Sequence, residues 1–132
     1  MLKQIVFSTF VVLILTLSLS SLFAKKKKYP LKVLKQVHMG SISDIIFTKD
    51  SKQLISAGTD KYIKYWTVQG NPQKSLLTHS GINVMTRSYD GRLFATGHTD
   101  RAITLWSISG KKIISFKQKK GYMYDLAISP DN

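Results

Sequence analysis

Three histidines and seven aspartates, with serines and threonines near them, are what this 132-residue chain could use for acid–base, nucleophilic or metal chemistry. Cysteine and glutamate are absent, which removes thiolate metal ligands, disulfide staples and catalytic glutamates together. His98 has no second histidine or cysteine at metal-ligand spacing, and its place beside a tight turn suits a surface or locally bonded residue. His38 and His79 differ, because serine or threonine, aspartate and tryptophan follow each of them at distances that agree to within one residue. Serine, histidine and aspartate are also the side chains of a hydrolase triad. An active site is seldom duplicated in every repeat, whereas a structural clamp should be, so the recurrence points to structure and to a chain that is not an enzyme. No glycine-rich phosphate loop and no paired carboxylates suited to acid–base work accompany these residues. No cofactor or metal is expected.

The elements that must position these residues come from sliding the sequence against itself. Asp50-Ser51-Lys52 matches Asp90-Gly91-Arg92, Thr59-Asp60-Lys61 matches Thr99-Asp100-Arg101, and Trp66 matches Trp106, each at an offset of 40. A third copy starts at Met123, where Leu126 to Asn132 parallels Ile45 to Ser51. Within the first unit, short apolar runs at 42–47, 54–57 and 62–68 are divided by turns rich in Asp, Gly, Ser and Lys, and 74–78 can add a fourth strand. Four strands in about 40 residues, with no helix-period segment between them, is the pattern of a propeller blade.

These residues resemble the WD40-repeat family over 31–132. The first unit offers His38, Ile42, Ile45, Phe47, Asp50, Ser56, Asp60 and Trp66; the second offers His79, Ile82, Met85, Asp90, Gly91, Thr96, Asp100 and Trp106. The third gives Met123, Leu126, Ile128, Ser129, Pro130 and Asp131. The resemblance implies an all-β fold, a partial WD40-type β-propeller of four-stranded antiparallel blades. The repeats run approximately over 38–78 and 79–120, with a third beginning at 121–132. It also implies one hydrogen-bonded tetrad per blade: His38, Ser56, Asp60 and Trp66, then His79, Thr96, Asp100 and Trp106. In each, imidazole and hydroxyl would serve the carboxylate, and the imidazole would pass the network to the indole N–H. Thr67 and Ser107 replace the family's aspartate after tryptophan. Arg87 stands at a phenylalanine position, which predicts loose packing or a shifted register in that blade.

Carried over from the family, the partner-contact positions are Ser41, Ser43 and Thr59, then Gly81, Asn83 and Thr99, then Tyr122 and Tyr124. The tyrosines offer rigid amphipathic contact area; the competing reading makes them ordinary strand residues. Two full repeats fall short of the blades that a closed ring requires. The expectation is therefore a piece of a longer propeller, with self-association into a ring as the lesser alternative.

Ahead of the repeats, Ile5 to Leu19 is largely apolar and Ser20 to Ala24 is small-residue-rich. A basic linker, 25–30, follows. This reads as a signal peptide cleaved after Ala24, giving a secreted or periplasmic protein. The alternative is a membrane-anchoring helix over residues 5–24. The net charge of +13 comes from lysines that are mostly scattered. No aromatic-plus-basic recognition motif accompanies them, so nucleic acid is not the expected partner. The sequence thus describes an exported or tethered scaffold for a protein or peptide partner. The rival reading is the N-terminal part of a larger propeller-containing enzyme or multidomain protein.

Overall fold

The computed structural model describes residues 37–131. The hydrophobic segment 1–24 and the linker 25–30 lie outside the described residues. The described chain is all-β. Its strands are β1 (Ile42–Phe47), β2 (Gln53–Gly58), β3 (Tyr62–Thr67), β4 (Pro72–Leu77), β5 (Ile82–Arg87), β6 (Leu93–His98), β7 (Ala102–Ser107) and β8 (Lys112–Lys117). They form two four-stranded antiparallel sheets, β1-β2-β3-β4 and β5-β6-β7-β8, each paired in sequence order. Each sheet is one blade.

Repeated turn chemistry explains why both sheets fold alike. The Thr48 hydroxyl donates to Asp50 Oδ1 at 2.6 Å, and the same oxygen accepts the Lys52 amide at 3.1 Å. Ser88, Asp90 and Arg92 repeat this at 2.6 and 3.0 Å. Hydroxyl and carboxylate thus close the link between first and second strand without help from outside the blade. Gly91 needs to be glycine: its φ is 76°, and a Cβ there would stand 2.6 Å from Lys49 Cβ and 2.9 Å from Arg87 Nη1.

Strand alternation gives each blade two faces. Ile55, Ala57, Ile63 and Tyr65 project from β2 and β3 onto Ile82, Met85, Phe94 and Trp106 of the second blade, forming a shared core. Phe94 and Trp106 stack with centroids 6.1 Å apart and planes 10° from parallel. Fully burying each large apolar side chain here contributes about 1.5–3 kcal/mol. Polar contacts fix how the first strands meet: Asp44 Oδ2 accepts the Met85 amide at 3.0 Å, and the Ser43 hydroxyl donates to the Ile82 carbonyl at 2.5 Å. Both β1 and β5 bulge at the same place, between Ile42 and Asp44 and between Ile82 and Val84.

Three expectations need correction. The β5–β6 register runs without a shift through Arg87↔Phe94, the bulge lying at the opposite end of β5. Arg87 is half-buried and its Nη1 makes no hydrogen bond among the described residues, so the cost of this arginine is desolvation and not misregister. The fourth strand starts at Pro72, because an outer strand can open on a residue that lacks an N–H. Residues 121–131, the expected start of a third inner strand, form no strand. They nevertheless keep the repeat's local bonds: Ser129 donates to Asp131, and Asp125 Oδ1 accepts the Leu126 amide at 2.8 Å, as Asp44 Oδ1 accepts Ile45 at 2.8 Å. A ladder needs a second strand, and none lies beside them among the described residues.

Tyr65 is buried and its hydroxyl has no hydrogen-bond partner among the described residues, while Lys74 Nζ sits 4.3 Å from the ring centroid. Burial pushes the phenol's pKa well up. Tyr65→Phe removes an unpaid desolvation cost and should raise stability by about 1 kcal/mol in urea unfolding. A loss of stability would show that the hydroxyl is bonded in solution.

Candidate binding surface and the buried polar chains

The first blade assembles all four residues assigned to its tetrad, in an order different from the expected one. The Trp66 indole N–H donates to Ser56 Oγ at 3.0 Å, Ser56 Oγ meets His38 Nε2 at 2.8 Å, and His38 Nδ1 meets Asp60 Oδ1 at 2.9 Å. An indole can only donate and a carboxylate can only accept. The proton on His38 is therefore assigned to Nδ1, the Ser56 hydroxyl donates to Nε2, and it accepts from the indole. The hydroxyl, not the imidazole, receives the tryptophan. Asp60 also accepts the amides of Met39 at 2.9 Å and Tyr62 at 3.2 Å. Burial raises its carboxyl pKa, but the bonds from His38, Met39 and Tyr62 outweigh this and hold it below the ordinary carboxylate range.

Ser56, His38 and Asp60 are linked in the manner of a hydrolase triad. Their setting does not allow nucleophilic attack. Ser56 is buried, the His38 side chain is fully covered, and the serine oxygen that would attack is already bonded to the indole. Asp60 and His38 orient a hydroxyl that clamps a tryptophan. Among the described residues no cluster of three metal-ligating side chains occurs.

The second blade uses a different histidine. Trp106 Nε1 donates to Thr96 Oγ1 at 2.9 Å, and Thr96 Oγ1 meets His98 Nε2, not His79, at 2.9 Å. His98 Nδ1 lies 3.4 Å from the Ser80 carbonyl. Of the two settings expected for His98, surface or locally bonded, the structure shows the second: it is 1% exposed and bonded to Thr96, two residues away. Its strand position explains the exchange. His98 is the equivalent of Gly58, where a Cβ would come within 2.8 Å of His38 Nδ1 and 3.0 Å of Asp60 Oδ1. A side chain in that slot collides with the incoming histidine, so the imidazole of His98 fills it and His79 is displaced. His79 lies against it, ring centroids 4.6 Å apart and planes tilted by 36°, and reaches Asp100 Oδ1 at 3.3 Å from an exposed position. Asp100 turns to Ser80 Oγ at 2.8 Å and Lys117 Nζ at 3.2 Å, and these bonds outweigh its desolvation and drive its pKa far down.

The contact positions taken from the family lie on loops or bulges at one end of the blades. Ser41 and Thr59 are exposed and tied together, the Thr59 amide donating to the Ser41 carbonyl at 3.0 Å and the Ser41 amide to Thr59 Oγ1 at 3.0 Å. Ser43 and Asn83 are the bulge residues of β1 and β5. Asn83 and Thr99 are exposed, whereas Gly81 is buried. A Cβ on Gly81 would meet the Thr59 carbonyl at 2.9 Å, so its part is to let two loops close and not to touch a partner. Tyr122 and Tyr124 stand in no strand, are more than four-fifths exposed, and hold their rings 6.4 Å apart.

His98 titration has a sign that can be checked. Burial lowers its pKa below 6.5, and the charge of the neighbouring His79 adds to this against the Ser80 carbonyl. A depressed folded value means that the contribution to stability is complete above the unfolded pKa of about 6.5 and is lost as pH falls through the lower folded value. His98→Ala should cost about 2–4 kcal/mol at neutral pH and flatten that acid-side slope, while His79→Ala should cost under about 1 kcal/mol. Urea unfolding at several pH values measures both. Equal costs would restore His79 to the chain.

Comparison with known proteins agrees with this architecture. The family model described as WD domain, G-beta repeat, matches residues 28–67 and 70–107. The chain is 31% identical over 107 residues to the tRNA (34-2'-O)-methyltransferase regulator WDR6 of Drosophila melanogaster, covering 72% of this chain and 11% of that protein. It is 31% identical over 80 residues to the small ribosomal subunit protein RACK1 of Neurospora crassa, covering 59% of this chain and 25% of that one. The chain therefore spans only a minor part of these relatives. The solved structures of the RRP9 WD40 repeats and of U3-55K each superpose with a TM-score of 0.57 at 26% identity, over 61% of this chain and 27% and 28% of theirs. Matched by the family model over more than half of its length, the chain belongs to the WD40-repeat family.

Proposed function

We propose that this chain is a protein- or peptide-binding scaffold module whose contact surface is the loop end carrying Ser41, Ser43, Thr59, Asn83 and Thr99. The observation that carries this reading is a division of labour among polar side chains. In the first blade those able to do chemistry, Ser56, His38 and Asp60, are covered and bonded to each other, whereas the loop end presents exposed Ser41, Thr59, Asn83 and Thr99 on the double blade. Small hydroxyls and an amide on fixed backbone suit a peptide's main chain and side-chain hydrogen bonds. Relatives named as a methyltransferase regulator and a ribosomal subunit protein support an interaction role. The apolar stretch 5–24 would direct the protein to a membrane, either for export with cleavage after Ala24 or as an anchor.

Peptides selected from a displayed library on the full chain test the surface. Asn83→Arg or Ser41→Arg should weaken the selected binders about tenfold, equivalent to about 1.4 kcal/mol. Gln73→Arg, the same added charge on exposed β4, should leave them unchanged. Binding that is indifferent to Asn83 and Ser41 contradicts the proposal. For the leader, mass spectrometry of the secreted or membrane fraction should find an amino terminus at Lys25 if export is by a cleaved signal; an intact Met1 in the membrane assigns the anchor instead.

A further inference from the structure

We propose that the space between the β6–β7 turn and the segment after β8 is a pocket for an anionic side chain of a peptide, held by Arg101 and Lys120 against Tyr122. The inference rests on the scaffold reading and names the chemistry of one part of its partner. The cavity measures about 460 Å³ and is lined by Thr99, Arg101, Lys120, Gly121 and Tyr122.

The first blade shows that this opening is a departure from the repeat. The last strand of each blade leaves in the same way: the Thr78 amide donates to the Lys61 carbonyl at 2.8 Å, and the Gln118 amide to the Arg101 carbonyl at 3.0 Å. Three residues further on the paths diverge. Gly81 packs so tightly on the neighbouring turn that a Cβ would lie 2.9 Å from the Thr59 carbonyl. Gly121, its equivalent at an offset of 40, has φ 95° and would meet nothing within 4 Å. Gly81 leads directly into β5, whereas Gly121 is left-handed and leads into residues that form no strand, so the place that is filled by contact in the first blade is open in the second.

The lining decides what fits there. It supplies two cations and no carboxylate. Arg101 donates through Nη1 to the Lys119 carbonyl at 2.9 Å, which fixes the guanidinium plane while leaving its other donors available. The acidic residue adjacent in sequence, Asp100, is committed to Ser80, His79 and Lys117. Asp125 accepts the Leu126 amide and does not line the cavity. Thr99 adds a hydroxyl whose first-blade counterpart, on Thr59, is consumed by the Ser41 amide. An arginine, a lysine and a threonine lining one open space supply a guanidinium, an ammonium and a hydroxyl, the groups that match a carboxylate or a phosphate. Tyr122, 82% exposed, and Tyr124 beside it give the flanking peptide an amphipathic wall.

Three fluorescent peptides of one sequence test this on the full chain by polarisation at physiological salt: one with two adjacent aspartates, one with phosphoserine there, one with asparagines. Because the chain carries +13, bulk attraction must be separated from the pocket. The variant R101Q/K120Q should weaken the anionic peptides about tenfold, while the charge-matched K52Q/K111Q, at the opposite end of the blades, changes them less than about twofold. The tighter of the aspartate and phosphoserine peptides then identifies the preferred anion. Equal weakening by both double variants, no weakening by R101Q/K120Q, or equal binding of the asparagine peptide overturns the pocket. None of these results bears on the scaffold reading, which stands or falls with Ser41 and Asn83. Thermal melts matching wild type establish that R101Q/K120Q remains folded.

Discussion

The interaction on which the rest depends is the burial of one face of the first blade against the second. A four-stranded sheet of this length cannot hide its apolar side chains by itself. Ile55, Ala57, Ile63 and Tyr65 become core only because Ile82, Met85, Phe94 and Trp106 cover them. Ile82, the first residue of β5, is central: it is fully buried, its carbonyl is held by Ser43, and the bulge that follows it sends Asn83 to the surface. The contact that stabilises the pair is therefore the same contact that sets the position of the exposed loop end. Outside this interface apolar side chains remain open, Ile45 and Phe47 on β1 and Ile114 and Phe116 on β8 among them.

The polar chains serve that interface. Trp106 stacks on Phe94 in the shared core, and its indole would be an unsatisfied donor there without Thr96. The hydroxyl works in both blades because it alone can accept from an indole and donate to an imidazole at once. What holds the far side of the imidazole is less constrained. In the first blade it is the Asp60 carboxylate; in the second it is a carbonyl, and Asp100 is released to a lysine at the rim. The exchange shows which link the two blades share: tryptophan to hydroxyl to histidine.

The repeat of 40 residues, with its turns and strands, was legible because it is encoded locally. Asp50 and Asp90 each take a hydroxyl two residues before them and an amide two residues after, so sequence spacing alone predicts the turn. The blade-to-blade contacts were not legible, since Asp44 bonding the Met85 amide follows from no local pattern. The assignment of His79 failed for a steric reason. His98 could be seen to stand beside a tight turn, but not that its imidazole fits the slot that Gly58 leaves for His38. The pocket at Arg101 escaped for a related reason. Gly81 and Gly121 are the same residue type at equivalent positions, and only their backbone angles and surroundings separate a closed contact from an open one.

Native-state hydrogen exchange on the full chain carrying Ile82→Ala tests the blade pair most directly. If the shared face holds both sheets, amides in β2 and β3 and amides in β6 and β7 open with one free energy, and the substitution lowers that energy for both sheets together by about 2–5 kcal/mol. Protection that persists in β2 and β3 while β5 to β7 lose theirs would contradict it, and would mean that each blade is stable on its own.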